Sequence, residues 1–296
     1  MSTATRPRYC GEVSSNHCGS LDRALHFIDV CAGIGFDAIK FQFFTDWSDI
    51  YAQGHRPPNL SDRACLPMSW LNPLRCRAEE RGIDLGVTPF TEEVPLVVLA
   101  RYVTFLKISS YQILLLDLIE RCARTKKPLV ISTGMANLDE INKAVIAART
   151  GLEDKDITLL HCVSAYPTPL SQCNLKAIKT LREIYPEHKI GWSCHIAGAT
   201  DGYEAMNTAH LLGVDMIEMH VDLDRGGLEW KGRHCWLTEW AASWTEKTVD
   251  EHFYYDKECI EALGYDMELP PACEKDEAKW RHDPTDGLRP RLWART

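Results

Sequence analysis

Eight short apolar runs, each parted from the next by a stretch with helical periodicity, restrict this chain to folds built on a parallel sheet. The runs are Arg8–Val13, Ala38–Phe43, Asp84–Thr88, Thr104–Ile108, Leu129–Ser132, Ile157–Cys162, Ile190–Ser193 and Met216–His220. Each is continuously apolar apart from one or two polar residues near its end. That is the pattern of a strand buried on both faces. Between the runs, Leu21, Leu25 and Ile28 share one helical face, as do Ile141, Ala144, Val145 and Ala148. Asn137 followed by Glu140 predicts a capping box at the start of the fifth helix. The Asn-Leu-Lys-Ala-Ile-Lys run from Asn174 is expected to open the sixth. Strand–helix alternation on this scale predicts a parallel sheet, and eight units predict closure into an α/β (β/α)8 TIM barrel. An open doubly wound sheet is the competing architecture. It is disfavoured because no Gly-rich phosphate-binding turn follows the first run.

Two segments interrupt the rhythm. Thr45 to Met68 is a long, Pro-containing loop on the face where a barrel keeps its chemistry, and it is expected to act as a lid or substrate loop. The stretch after Arg225 is rich in Trp, Tyr and charge. It is expected to supply the last helix and then wrap over the barrel. The predicted division is therefore a barrel over residues 1–265 and a packed tail over 266–296. A formal net charge of −9 argues against a general nucleic-acid or membrane-surface binder, which needs a positive field. The longest apolar stretches are too short to span a bilayer, and Met1 to Arg8 lacks the apolar segment of a secretory signal. Twelve cysteines occur singly, with no CxxC pair, so buried free thiols in a reducing cytoplasm are expected.

The polar exceptions within the apolar runs carry the functional signal. They are Glu12, Lys40, Gln42, Thr88, Lys107, Ser132, Ser193, His195, Glu218 and His220, with Ser110 just after the fourth run. Side chains two apart on a strand face the same way, so Lys40 joins Gln42, Ser193 joins His195, and Glu218 joins His220. A buried lysine or glutamate costs several kcal/mol unless it is paired. One such residue is best explained as a structural ion pair; six strands carrying them near one end predict a site. Either histidine alone reads as a hydrogen-bonded core residue. Together, on adjacent strands, His195 and His220 predict a divalent metal held by neutral imidazoles. Lys40 and Lys107, with Thr88, Ser110 and Ser132, predict a cradle for a phosphate or carboxylate.

In order along the chain, these residues fall within longer matching stretches. They include Gly11-Glu12 with Asn16-His17, Lys40-Phe41-Gln42, Thr88-Pro89-Phe90, Leu106-Lys107-Ile108 and Ile131-Ser132-Thr133-Gly134-Met135. Leu160 to Pro169, Asn174 to Ile178, Gly191-Trp192-Ser193-Cys194-His195 and Glu218-Met219-His220 follow. From about Tyr9 to Arg225 the chain resembles the sialic acid synthases, which condense phosphoenolpyruvate with an N-acylated amino sugar. The resemblance implies a (β/α) barrel and a divalent metal, Mn2+ or Mg2+, on His195 and His220. It implies phosphoenolpyruvate contacts from Lys40, Thr88, Lys107, Ser110, Ser132 and Ser193. Acid–base and sugar-orienting roles fall on Glu12, Gln42, Tyr166 and Glu218. An N-acetylmannosamine-like aldehyde as acceptor and a homodimer are further implications.

The chain departs from the family pattern at Cys194, Met219 and Gln112, where aspartate, lysine and glutamate are usual. Strand alternation is expected to turn Cys194 and Met219 away from the site. The family's carboxy-terminal antifreeze-like domain, which lends an arginine to the sugar site, is expected to be missing. Arg281, Arg289 or Arg291 of the tail, or the Thr45–Met68 loop, are the candidates to complete the pocket. Two alternatives are another metal-dependent 2-keto-acid aldolase or synthase, and a retired barrel acting as a binding subunit. The retained buried charges argue against the second.

Overall fold

Each strand pairs in parallel with the next in sequence, and the last closes on the first. In the computed structural model, β1 (Arg8–Glu12), β2 (Ala38–Phe43), β3 (Asp84–Pro89), β4 (Phe105–Ile108), β5 (Leu129–Ser132), β6 (Ile157–Cys162), β7 (Lys189–Cys194) and β8 (Met216–Asp222) form this closed ring. Residues 6–58, 60–90, 96–198, 200–245, 262–264 and 271–295 are described, so the predicted boundary at 265 lies outside them. The helices are α1 (Leu21–Gly33), α2 (Leu71–Arg81), α3 (Leu96–Leu99), α4 (Leu116–Arg124), α5 (Leu138–Arg149), α6 (Ala177–Ile184), α7 (Thr200–Leu211) and α8 (Thr238–Thr245). A two-residue β9 (Trp236–Leu237) pairs with the end of β8. This is the (β/α)8 barrel expected from the alternation. No helix among the described residues is long and apolar enough to cross a membrane.

Local chemistry accounts for the starts of two helices, α5 and α6. Asn137 accepts the Glu140 N–H while the Glu140 carboxylate accepts the Asn137 N–H, which is the predicted capping box of α5. The sixth helix starts at Ala177, three residues later than the sequence suggested. Asn174 has φ +47°, a left-handed conformation that cannot begin a right-handed helix. The eleven cysteines among the described residues form no disulfide.

The pleat sorts side chains into two populations. Outward residues such as Ile39, Phe41, Leu106, Ile131, Leu159, Trp192, Ile217 and Val221 join the helices in the main core. Cys194 and Met219 belong to this outer set and are fully buried there, as alternation required. Inward residues stack in tiers. The lowest is an apolar plug of Cys10, Ala38, Phe105, Val130, Leu160 and Met216. The two remaining strands contribute glycines, because a Cβ at Gly86 would lie 2.1 Å from the Phe105 ring and one at Gly191 would lie 2.6 Å from Leu160 Cδ2. The plug seals the amino end, so chemistry is confined to the carboxyl end.

Residues 271–295 run across that carboxyl end. The Glu274 carboxylate accepts the N–H groups of Met135, at 3.0 Å, and Ser164. Arg281 donates to Met135 O at 3.2 Å and pairs with Glu140. Arg289 bridges to the loop after β2, its N–H donating to Ile50 O at 2.8 Å and its carbonyl accepting the Ala52 N–H at 2.9 Å.

Candidate active site

Two residues above the plug, every strand presents one polar or thiol side chain to the barrel axis: Glu12, Lys40, Thr88, Lys107, Ser132, Cys162, Ser193 and Glu218. This tier is the floor of a cavity of about 960 Å³, within the range of small-molecule sites. All twelve predicted site residues line it, Gln42, Ser110, Tyr166, His195 and His220 adding to seven of the floor groups. Cys162 was missed by the sequence reading because a thiol in an apolar run carries no charge signal. It sits 2.9 Å from Ser110 Oγ, which also accepts the Gly134 N–H at 3.1 Å.

The floor charges are paired across the barrel. Lys107 Nζ lies 2.8 Å from Glu218 Oε1, and Ser193 Oγ donates to the same oxygen at 3.0 Å. Lys40 pairs with Glu12, donates to Thr88 Oγ1 at 3.0 Å, and lies 3.9 Å from Glu218 Oε2. Burial lowers the Lys40 pKa to about 8, against the opposing pull of Glu218. For Glu218, burial favours the neutral acid, but Lys107 and Lys40 outweigh it and bring the pKa down to about 2. Glu12 Oε1 and Ser132 Oγ are buried without a protein partner, so the floor retains capacity for a bound group.

Two imidazoles stand above this floor with ring centroids 5.4 Å apart. His195 Nδ1 contacts Val163 O at 2.7 Å, and His220 Nδ1 contacts the Glu229 carboxylate at 2.9 Å. A carbonyl or carboxylate only accepts, so each Nδ1 carries the proton and each Nε2 keeps its lone pair. Burial, reinforced by His220, holds His195 well below the usual histidine pKa; burial also lowers His220, opposed by Glu229. Two neutral imidazoles with free Nε2 atoms form a donor set suited to a borderline divalent metal. Tyr166, more than a third exposed at the rim, lies tilted against the His195 ring with centroids 4.3 Å apart.

The walls come from loops. Trp47, Ile50, Tyr51 and Leu60 of the Thr45–Met68 segment line the cavity, as do Tyr111, Leu228 and Trp230. Of the three candidate arginines in the tail, only Arg289 lines it; Arg281 pairs with Glu140 and Arg291 with Asp283. The Arg289 guanidinium lies 3.9 Å from the Tyr111 ring centroid and 5.3 Å from that of Tyr51. Gln112 is a structural residue: its amide donates to Pro89 O and accepts from the Ser109 N–H and hydroxyl, tying the ends of β3 and β4 together. Glu229 and His234 were not singled out from the sequence, since they sit on an aperiodic loop. The lining holds five cationic side chains (Lys40, Lys107, Arg225, Lys231, Arg289) against three carboxylates (Glu12, Glu218, Glu229). A chain of net charge −9 thus keeps a local positive excess around its cavity.

A plugged eight-stranded parallel barrel with a charged floor and open imidazoles at its carboxyl end defines a (β/α)8 protein with an enzyme-type site. The chain belongs to the NeuB family, whose pattern matches residues 27–249. It is 31% identical over 228 residues to N,N'-diacetyllegionaminic acid synthase of Campylobacter jejuni, covering 72% of this chain and 67% of that protein. Identity to pseudaminic acid synthase of Helicobacter pylori is 31% over 241 residues, covering 74% and 66%. The N-acetylneuraminic acid (sialic acid) synthetase structure from Leptospira borgpetersenii matches with a TM-score of 0.72 at 29% identity, over 94% of this chain and 92% of that one. The chain spans between 59% and 67% of the length of the curated relatives it matches here.

Proposed function

We propose that this protein condenses phosphoenolpyruvate with the aldehyde of an N-acylated amino sugar, giving a 2-keto sugar acid and phosphate. The observation that carries the reading is the floor tier, with two buried ammonium groups and unpartnered polar atoms beneath a pair of open imidazoles. Membership of a family whose relatives are named as sugar-acid synthases supports it. In the reaction, C3 of phosphoenolpyruvate bonds to the aldehyde carbon, water adds at C2, and the C2–O bond to phosphate breaks.

Lys40 and Lys107 hold the phosphate and carboxylate, aided by hydroxyls of Thr88, Ser110, Ser132 and Ser193. Because Glu12 and Glu218 already neutralise the two lysines, the floor alone cannot balance a multiply charged anion. A divalent ion, Mn2+ or Mg2+, on His195 and His220 would supply that charge and act as a Lewis acid toward the aldehyde oxygen. Glu12, whose Oε1 is free, takes the proton from the attacking water; Glu218 stays ionised and keeps Lys107 in place. Gln42 and Tyr166 orient the sugar from above. The aromatic wall and Arg289 receive its N-acyl group, the amide oxygen accepting from the guanidinium.

Phosphate release with phosphoenolpyruvate, Mn2+ and a panel of N-acyl hexosamines tests the reading. Acceptor-dependent release with at least one of them is expected. No release above the acceptor-free rate across the panel would overturn it.

A further inference from the structure

His220 is held by a carboxylate that belongs neither to a barrel strand nor to any motif read from the sequence. Glu229 lies on the loop between β8 and β9. Its Oε2 accepts from His220 Nδ1 at 2.9 Å and lies 3.5 Å from His234 Nε2, while its Oε1 accepts from the Ser14 hydroxyl. Three donors converge on one carboxylate, which is how a structure fixes an acceptor in place. The His234 ring packs 4.7 Å from His220 and 5.0 Å from Tyr166, both centroid to centroid.

The loop is itself fixed from the first strand's side. Asn16 Oδ1 accepts the Glu229 N–H at 2.9 Å, and Asn16 Nδ2 donates to Val221 O at 2.9 Å. Gly227 passes so close that a Cβ there would lie 2.3 Å from Asn16 Oδ1. Arg23 donates to Asn16 O and pairs with Asp222 and Asp224 at the base of the loop. This much structure is spent on delivering one carboxylate to one ring nitrogen.

We infer that Glu229 is a positioning residue that locks His220 in the Nδ1–H tautomer and aims its Nε2 lone pair into the cavity, with His234 and Ser14 holding the carboxylate. The consequence for metal affinity rests on the proposed His195–His220 centre; the tautomer does not. A carboxylate behind a ligand histidine fixes the ring's orientation and raises its basicity, and losing such a partner weakens metal binding by about 10- to 100-fold.

Two readouts separate the parts. In 15N-labelled protein without metal, His220 should show a protonated Nδ1 and an unprotonated Nε2. Glu229→Ala should shift it to a tautomer mixture, with the thermal transition of the barrel retained; an unchanged tautomer in that variant overturns the inference. Mn2+ affinity, followed by the loss of the free-ion paramagnetic resonance signal, forms the second arm. Glu229→Gln should weaken it about 10-fold or more, Glu229→Asp should restore part of the loss, and His220→Ala should abolish it. Equal affinity in wild type and Glu229→Gln removes the metal role of Glu229. No Mn2+ binding by the wild type overturns the metal centre, leaving the tautomer result to decide the positioning role.

Discussion

Lys107 and Glu218 meet at 2.8 Å across the barrel, joining β4 to β8 through its interior. Both side chains are 3% exposed at the cavity floor, so solvent ions screen the pair only weakly. Removing one member of a buried pair leaves an uncompensated charge and costs about 3–5 kcal/mol. Lys107→Met should therefore lower the unfolding free energy by that order in urea titration. Lys107→Met paired with Glu218→Gln should recover part of it. A single variant as stable as wild type would show that the pair is not closed in solution.

Activity should fall on the alkaline side through Lys40. Its pKa, depressed by burial to about 8, makes it a cation below that pH and neutral above it. Anion binding requires the cation, so kcat/KM should decline as pH rises through about 8. Lys40→Arg keeps its charge over the whole accessible range and should remove this limb from whatever activity remains. The same limb in the arginine variant would assign it to another group.

Glu274 gives a stability dependence of opposite origin. Burial raises its pKa to about 7, opposed by hydrogen bonds from the Ser164 and Met135 N–H groups. The native state therefore holds this proton more tightly than the unfolded chain between about pH 4.5 and 7, and stability falls as pH rises through that window. The loss should be on the order of 2–3 kcal/mol. In Glu274→Gln the slope between pH 5 and 7 should flatten, measured as the change in Tm. An identical slope in the variant would place the titrating group elsewhere.

Arg289 should act on the acceptor and not on phosphoenolpyruvate. Its guanidinium lies over the rings of Tyr111 and Tyr51, which with it line the cavity wall. Arg289→Ala should raise the acceptor KM about 10-fold, the equivalent of 1.4 kcal/mol, with the phosphoenolpyruvate KM held within about twofold. Arg289→Lys should recover little, because an ammonium lacks the planar fork. A rise confined to phosphoenolpyruvate would move Arg289 to the other substrate.

The floor was legible in the sequence because period-2 geometry ties residue parity to facing direction. Lys40 and Gln42, Ser193 and His195, and Glu218 and His220 could be paired from their spacing alone. The same parity placed Cys194 and Met219 outside. The walls were legible only in part: the Thr45–Met68 loop and Arg289 were among the candidates to complete the pocket, and both line it. Glu229 and His234 depend on how one aperiodic loop folds over Asn16, and no spacing rule links residue 16 to residue 229. Arg289 reaches the cavity only because its backbone bridges to Tyr51. The sequence did offer a weak cue at the loop: Gly226-Gly227 shortly before Glu229 and His234-Cys235 mark a tight, polar connection.

The alternation of the barrel wall makes it lopsided toward genetic change. An outward residue can change without reaching the chemistry, and the cysteine and methionine at 194 and 219, where the resemblance leads one to expect aspartate and lysine, are changes of that kind. Loss of a single codon upstream of Glu218 within β8 is different. It would turn Ile217 and Met219 to the axis and drive the glutamate and His220 in among the helices. Substitutions on the outer face are therefore open to drift, whereas insertions and deletions are confined to the loops.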